Sequence, residues 1–425
     1  MSALVTLLEA APRYAQLLRS QYWPAQRLNA YREEHLRRTL DAAAKIPFYA
    51  DRIGDASSID GFRDLPILLR EDVPFLYRSA RSLYPLGRQF AQASSSGTAG
   101  PRTQHMFDRS HQRGRHAARA RYLRANGWNP IERTAWLAGA RFLYSDQLGF
   151  DDQQFVTRLL VGVRFFAISI ELPTLANAIA KLDPVFIYLY PSMLDALMRT
   201  FEKQRQRLPS LRRIFTGAEV LDGSLRERAR HQLGVQIADN YGSTEAFIAW
   251  QCPAGNYHQN AEHVLIEIVD QAGRAVATGQ MGRVLITTLE NYLMPLVRYE
   301  IGDYAIATSD TCSCGRTLPL IGQVVGRGMN LFRTADGRLI GTWDLLNTLR
   351  LFPEIATFQI VQKAVDRILV KYVAQSPIGP EAESKVRREF VPYMGPAVSI
   401  EFERVPEIPR TPGGKFMVTL SEVSA

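Results

Sequence analysis

Between Asp183 and Gly242 the chain alternates strand-like and helix-like text with very little sequence in between. "DPVFIYLY" reads as a buried strand, "PSMLDALMRTFEKQ" as a helix opening on Pro191, and "RRIFTGAEV" as a second strand. "SLRERARHQL" is a second helix and "VQIADNYG" a third strand. Strands separated by helices become neighbours only through crossovers, and crossovers make them parallel. The fold class is therefore α/β, with a large N-terminal domain built on mostly parallel sheets. In such sheets ligands bind beyond the strand C-termini. Those ends carry Thr216-Gly217-Ala218-Glu219 and Asp239 to Glu245, small and polar in both cases.

Text downstream changes character twice. From 261 to about 325 it is β-rich ("HVLIEIVD", "GRVLITTL", "LVRYEIGDYAIAT"), which suggests an antiparallel, barrel-like subdomain. After Gly326 come "TFQIVQKAVDRILVKYVA", the helix "EAESKVRREFVPYM" and the strand "AVSIEFERV", a small α+β unit. The expected domains are 1–326 and 327–425, the second ending in an exposed Pro/Gly loop, "EIPRTPGGKF", that presents Lys415.

Bulk properties exclude several classes. The most apolar run, "LLVGVRFFAISI", is twelve residues long and contains Arg164, whereas a membrane helix needs roughly twenty apolar residues. "MSALVTLLEAAPRYAQLL" lacks a basic start and carries a Glu, so it reads as an amphipathic helix and not as a signal peptide. Three cysteines do not make a disulfide framework, and the expected location is the cytoplasm without membrane attachment. The net charge of +9 comes from scattered arginines with no nucleic-acid recognition motif, so an acidic small molecule or acidic partner is the expected counterpart, not nucleic acid.

"ASSSGTAGPRTQ", Ala93 to Gln104, is the most unusual stretch: nine of its twelve residues are Ala, Ser, Thr or Gly. It is either a flexible linker or a loop whose N–H groups and hydroxyls wrap phosphates. It lacks the G-x-x-x-x-G-K-[ST] pattern, and its flanks read as two short strands that it joins. "YGSTEA" has a bland reading as a strand end followed by a helix N-cap, with Ser243 or Thr244 as cap and Glu245 in the first turn. "RYEIGDYA" reads alone as strand, Gly turn and strand, and "RTPGGKF" as a loose turn.

The order of these signals is more specific than any one of them. A small-residue hydroxyl loop, T-G-A-E, Y-G-S-T-E, R-Y-x-x-G-D, G-R and a terminal P-R-T-x-x-G-K together resemble the adenylate-forming ligase superfamily. Within it, "KIPFYADRI", "GFRDLPILLREDV", "CSCGRTLPLIGQVVGR" and "DGRLIGTWDLLNTL" resemble the phenylacetate–coenzyme A ligase-like branch, over roughly residues 30–418.

The resemblance implies an ATP site. Ser94, Ser95, Ser96, Gly97, Thr98 and Gly100 would embrace the β- and γ-phosphates, with Arg102 as the nearby cation. This chain has Pro101-Arg102 where the family has Lys-Pro. Gly217, Ala218 and Glu219 would line the adenine, with Tyr241 stacked on it inside the Asn240-Tyr241-Gly242-Ser243-Thr244 run. Thr244 would contact phosphate and Glu245 would hold Mg2+. Asp303 would accept both ribose hydroxyls, and Arg327 would approach ribose or phosphates. Lys415, on a mobile small domain, would bridge the substrate carboxylate and the α-phosphate.

The implied reaction is ATP-dependent activation of a small carboxylic acid to an acyl-adenylate with release of pyrophosphate, then transfer to a thiol. The family's hinge acids in G-R-x-D-D are replaced here by Met329 and Asn330 after Gly328. Coenzyme A is the implied acceptor and an acyl-carrier protein the alternative, for which the Arg-rich segment 109–124 offers a face; a solvated helix face is the plainer reading of that segment. A catalytically inactive scaffold is a further alternative, against which stand Lys415, Asp303 and Glu245 together. The acid pocket should draw on Trp136, Tyr144, Phe165 and Gly217, an aromatic set that suits a flat aryl acid.

The three cysteines form a separate signal. Cys252, His258, Cys312 and Cys314 supply three thiols and an imidazole, a set that suits tetrahedral structural Zn2+, although the spacing is not C-x-x-C. Three unrelated reduced cysteines and a surface histidine are the bland alternative. Both stretches follow proposed ATP-site motifs, and some relatives in the branch carry zinc at a comparable place.

Overall fold

The computed structural model describes residues 3–53, 59–84, 90–94, 103–138, 162–221, 223–327, 331–340, 342–350, 352, 354–409 and 417–423. The chain divides into two compact units, Met1–Val324 and Val325–Ala425.

The first unit opens with helices α1 (Ala3–Ser20), α2 (Ala25–Ala44), α3 (Ala50–Ile53) and α4 (Val73–Ser82). An antiparallel hairpin, β1 (Ala91–Ser94) and β2 (Gln104–Phe107), leads into α5 (Arg109–Ala125). Then follow β3 (Thr134–Ala138), β4 (Val163–Ala167), α6 (Leu172–Leu182), β5 (Phe186–Leu189), α7 (Pro191–Lys203), β6 (Arg213–Gly217), α8 (Gly223–Leu233) and β7 (Gln236–Gly242). The alternation read from the sequence is thus the core of an eight-stranded sheet, in which β4, β3, β5, β6 and β7 lie parallel in that order.

Side-chain alternation sorts each strand between two cores. Ile187, Ile214 and Ile237 point to one face, where Leu175 and Ile179 of α6 and Leu194 and Leu197 of α7 cover them. Phe186, Phe215 and Ala238 point to the other, against Leu17 of α1 and Ala117 and Tyr122 of α5.

Helix α5 is fixed at both ends of its length. Asp108 caps it by accepting from the His111 N–H at 2.8 Å, and its second oxygen accepts from the Tyr292 N–H at 2.7 Å. Further along, the fully buried Arg121 donates to both oxygens of Glu262 (2.6 and 3.0 Å) and to Asn260 (2.8 Å). Ser20 at the end of α1 donates to the same carboxylate at 2.5 Å. A buried pair is tolerated best when its remaining hydrogen-bonding capacity is filled; here both terminal nitrogens of Arg121 and both oxygens of Glu262 are paired, and Arg121 Nε has no partner among the described residues. Gly114 is required beside a second ionic group: a Cβ there would sit 2.1 Å from Glu290 Oε2, which pairs with His263 and Arg13.

After β7 the chain departs from the bland helix-cap alternative for "YGSTEA" and from one expectation. Tyr241 to Ala246 does not open a helix. The Ser243 N–H donates to the Ala246 carbonyl at 2.9 Å, and its hydroxyl accepts from the Glu245 and Ala246 N–H groups. The turn returns the chain as β8 (Phe247–Gln251), antiparallel to β7, followed by β9 (Tyr257–Gln259). Nor does 261–325 close into a barrel. The strands β10 (Val264–Val269), β11 (Met281–Thr288) and β12 (Tyr299–Ile306) form an open antiparallel sheet. The next strand, β13 (Leu320–Ile321), pairs with β9 at the edge of the large sheet, Leu320 opposite His258. That pairing draws it away from the smaller sheet. The strand β14 (Val324–Arg327) is the fourth strand of the smaller sheet and carries the chain out of the first unit.

The second unit contains the hairpin β15 (Phe332–Arg333) and β16 (Leu339–Ile340), helix α9 (Trp343–Arg350), β17 (Thr357–Ala364), β18 (Arg367–Val373), α10 (Pro380–Met394), β19 (Ser399–Arg404) and β20 (Thr419–Ser421). Its sheet runs β19-β18-β17-β20 over a core that includes Leu345, Ile360, Val370, Val386 and Phe390. Among the described residues no helix is long and apolar enough to cross a membrane.

Candidate active site

At the C-terminal end of the parallel sheet, two motifs that are distant in sequence meet directly. Tyr241, at the end of β7, donates its hydroxyl to Asp303 Oδ2 at 2.8 Å, and both residues are buried. Asp303 lies on β12, so this bond ties the large sheet to the smaller one. Beside it, Asn240 donates to the Thr216 carbonyl at 2.5 Å and to the Tyr188 hydroxyl at 2.9 Å. Gly217 ends β6 opposite Asn240, where a Cβ would lie 2.4 Å from Asn240 Nδ2; the next residue, Ala218, takes a left-handed φ of 68°. The carboxylate of Glu219 accepts from the N–H (2.9 Å) and hydroxyl (3.1 Å) of Ser192, which fixes it against the first turn of α7.

Thr244 and Glu245 sit in the β7–β8 turn. Arg115 of α5 donates to the Thr244 carbonyl at 2.9 Å and to the Ser243 carbonyl at 3.3 Å. Burial lowers its guanidinium pKa to about 10, so it remains cationic at neutral pH. Glu245 is buried, with His105 Nε2 3.3 Å from its Oε1. The Glu245 carboxylate is an oxygen donor, the ligand type that Mg2+ prefers.

Four aromatic side chains run in register across adjacent strands: Phe165, Trp136, Tyr188 and Phe215. Trp136 stacks on Tyr188 with centroids 4.2 Å apart and lies 6.1 Å from Phe165. Trp136 and Phe165 are half-buried and tilted at 41° to each other, and Tyr188 between Trp136 and Phe215 accepts from Asn240.

The four metal-ligand candidates also converge. The ligand atoms of Cys252, His258, Cys312 and Cys314 all lie within 4.8 Å of one another. Cys252 Sγ is 3.5 Å from Cys312 Sγ, and Cys314 Sγ is 3.3 Å from His258 Nε2. The other ring nitrogen of His258 lies 3.3 Å from the Leu318 carbonyl, so Nδ1–H donates there and the Nε2 lone pair faces the thiols. Burial holds His258 down to about 4, neutral as a ligand must be, and pushes Cys252 up to about 11. Burial also raises Cys312, but hydrogen bonds led by the Asn256 amide outweigh it, and the thiol pKa falls.

Ser95, Ser96, Gly97, Thr98, Gly100, Arg102, Tyr144 and Lys415 lie outside the described residues, as do the side chains of Ser94 and Arg327. The hairpin β1–β2 does flank residues 95–102, so the small-residue stretch joins two paired strands. Sequence reasoning missed Arg115, His105 and Tyr188. Each acts through a tertiary contact, and no spacing in the sequence points to it. The Arg-rich segment is not a uniformly solvated face, since Arg121 is wholly buried and Arg115 is bound to the β7–β8 turn.

Comparison with known proteins agrees with this geometry. Residues 154–293 match the family described as AMP-binding enzyme, and residues 332–422 match the CapK C-terminal domain. The chain is 28% identical over 341 residues to a phenylacetate-coenzyme A ligase of Thermus thermophilus, covering 73% of this chain and 74% of the relative. It is 25% identical over 328 residues to a phenylacetate-coenzyme A ligase of Escherichia coli, covering 72% and 74%. In fold it is similar to a crystal structure of 2-hydroxyisobutyryl-CoA ligase in the postadenylation state (TM-score 0.75, 20% identity, 95% of this chain and 93% of the other). With the Tyr241–Asp303 junction at the strand ends and the ordered motifs around it, the chain is similar to the adenylate-forming ligases and, among them, to phenylacetate–coenzyme A ligases.

Proposed function

We propose that this AMP-forming acid–coenzyme A ligase activates a flat aryl carboxylic acid, with ATP held at the C-terminal end of the large sheet. The observation that carries the reading is the meeting of Tyr241 and Asp303, which supports a nucleotide site where two sheets join. A carboxylate is a poor electrophile because oxide is a poor leaving group. In the first step a carboxylate oxygen attacks the α-phosphorus of ATP, the bond from that phosphorus to the bridging oxygen breaks, and pyrophosphate departs. In the second, a thiolate sulfur attacks the acyl carbon and AMP leaves.

The residues divide this work. Asp303 accepts the ribose hydroxyls, a task suited to two carboxylate oxygens. Ala218 and Glu219 line the adenine and Tyr241 stacks on it. Ser94 to Thr98 and Gly100 would embrace the β- and γ-phosphates with Arg102 as the cation, Thr244 would contact phosphate, and Arg327 would approach ribose or phosphates. Trp136 and Phe165 favour a planar acid. Glu245 would hold Mg2+, which when bound neutralises phosphate charge. Cys252, His258, Cys312 and Cys314 would hold a structural Zn2+; four protein ligands leave no open position, so its role is to pin two loops.

Replacing Asp303 by Ala tests the placement of ATP. Affinity for ATP should weaken by about 1.5–3 kcal/mol, the scale of hydrogen bonds to a charged group. Titration calorimetry would read this directly, and unchanged affinity would place the ribose elsewhere.

A further inference from the structure

Helix α5 sends Arg115, Arg119 and Tyr122, which follow one another at helical spacing, toward the sheet beneath it. Arg115 reaches the β7–β8 turn, and the Tyr122 hydroxyl donates to the Ala238 carbonyl of β7 at 2.9 Å. Arg119 lies between them, its Cζ 5.8 Å from the centre of the Phe247 ring on β8. The residue is half-buried and its Nε is shielded from water, yet the guanidinium has no hydrogen bond or ion pair among the described residues. Its charge is felt nearby. Burial lowers the pKa of Arg115 and that of His116, the latter to about 4, and Arg119 lowers both further. Tyr188 is a second donor with capacity left. The Thr216 carbonyl can only accept, which fixes the Asn240 nitrogen toward it (2.5 Å) and toward the Tyr188 oxygen (2.9 Å). The Tyr188 oxygen therefore accepts, and its own O–H has no acceptor among the described residues. Burial raises the pKa of that hydroxyl, and the charge of Arg119 is the largest influence in the other direction. Trp136 stacks on the same tyrosine ring, 4.2 Å away and within 11° of parallel.

We propose that Arg119 and Tyr188 determine specificity by taking an oxygen substituent on the ring of the acid, a phenolic hydroxyl or a second carboxylate. The inference rests on the reading of Trp136 and Phe165 as part of an aryl-acid pocket, and deepens it by naming the class of ring. A plain hydrocarbon ring set against Arg119 would strip water from the guanidinium and give its N–H groups nothing to meet. A site with unspent donors discriminates against the analogue that lacks the acceptor. Either oxygen satisfies that need, and a carboxylate can take two N–H groups of the planar guanidinium at once.

The test measures acid-dependent pyrophosphate exchange with benzoate, with meta- and para-hydroxybenzoate, and with the corresponding benzene dicarboxylates. One oxygen-bearing series should exceed benzoate in kcat/KM by about tenfold or more, and whichever series wins identifies the substituent. Arg119→Met should cut kcat/KM for the preferred acid by about ten- to a hundredfold, the scale of hydrogen bonds to a charged group. Benzoate should change far less, so the ratio between the two acids collapses. Tyr188→Phe keeps the stack on Trp136 and removes one donor, so it should narrow the same ratio; it keeps the test valid should Arg119→Met fail to fold. Equal losses for every acid in both variants would mean a structural role only and overturn the inference. A wild-type protein that uses benzoate as well as the substituted acids would also overturn it, while the aryl pocket stands. Exchange with fatty acids and with no aryl acid would remove the aryl reading and the inference together.

Discussion

Replacing Lys415 by Ala is expected to slow acyl-adenylate formation by about a hundredfold or more, the scale for losing one preorganised charge donor. The argument is electrostatic. Adenylation brings a carboxylate against a phosphate chain that is itself anionic, and negative charge is redistributed at the α-phosphate as the new bond forms. A single ammonium placed between the two anions offsets their repulsion and strengthens as the charge shifts. In the family that this chain resembles, the terminal P-R-T-x-x-G-K lysine has that task, and Lys415 occupies that position here. The second step has a different need: a thiol attacks an acyl carbon that is already activated, so the lysine has little to do. ATP binding should stay near normal, and thioester formation from pre-made acyl-adenylate should suffer much less. Equal losses in both half-reactions would contradict this division of labour.

The second large effect concerns metal. Elemental analysis should find about one zinc per chain, and Cys312→Ser should lower both zinc content and thermal stability. Cys252 and His258 follow β8 and lie on β9, while Cys312 and Cys314 precede β13. A shared ion would therefore cross-link the edge of the large sheet to a loop that arrives from the other sheet. Metal binding of this kind is folding free energy, so removing a ligand should lower the melting temperature by on the order of 5 °C. Chelation should act in the same direction. Metal-free protein of unchanged stability would contradict the site.

Much of this was legible in the sequence, for physical reasons. The strands and helices of 183–242 were readable because buried parallel strands are continuous apolar runs and the helices between them carry their own start signals. The Cys252, His258, Cys312 and Cys314 cluster was readable as residue types although its spacing is irregular. The structure accounts for the irregularity: His258 lies on β9, Cys252 in the connection before it, and Cys312 and Cys314 in the loop that leads to β13, which pairs with β9 at the sheet edge. What failed depended on partners far along the chain. The 261–325 stretch has the alternation of an antiparallel barrel, but β13 pairs with β9 and leaves the sheet open. "YGSTEA" has the residues of a helix cap, yet the Ser243 turn returns the chain as β8, because β8 can bury Ile248 and Trp250 on opposite faces of the sheet. His105 carries no local signature at all. Its contact with Glu245 exists only because the β1–β2 hairpin and the β7–β8 turn end at the same place.

The central claim, that this chain makes acyl-adenylates, is tested most directly by exchange of labelled pyrophosphate into ATP across a panel of aryl and fatty acids. Exchange reports the first half-reaction alone, whatever thiol follows. Exchange that depends on added acid, strongest with flat aryl acids, is the predicted result. Silence across the whole panel, from folded protein that still binds ATP, would contradict it and leave a scaffold that has kept the fold without the chemistry.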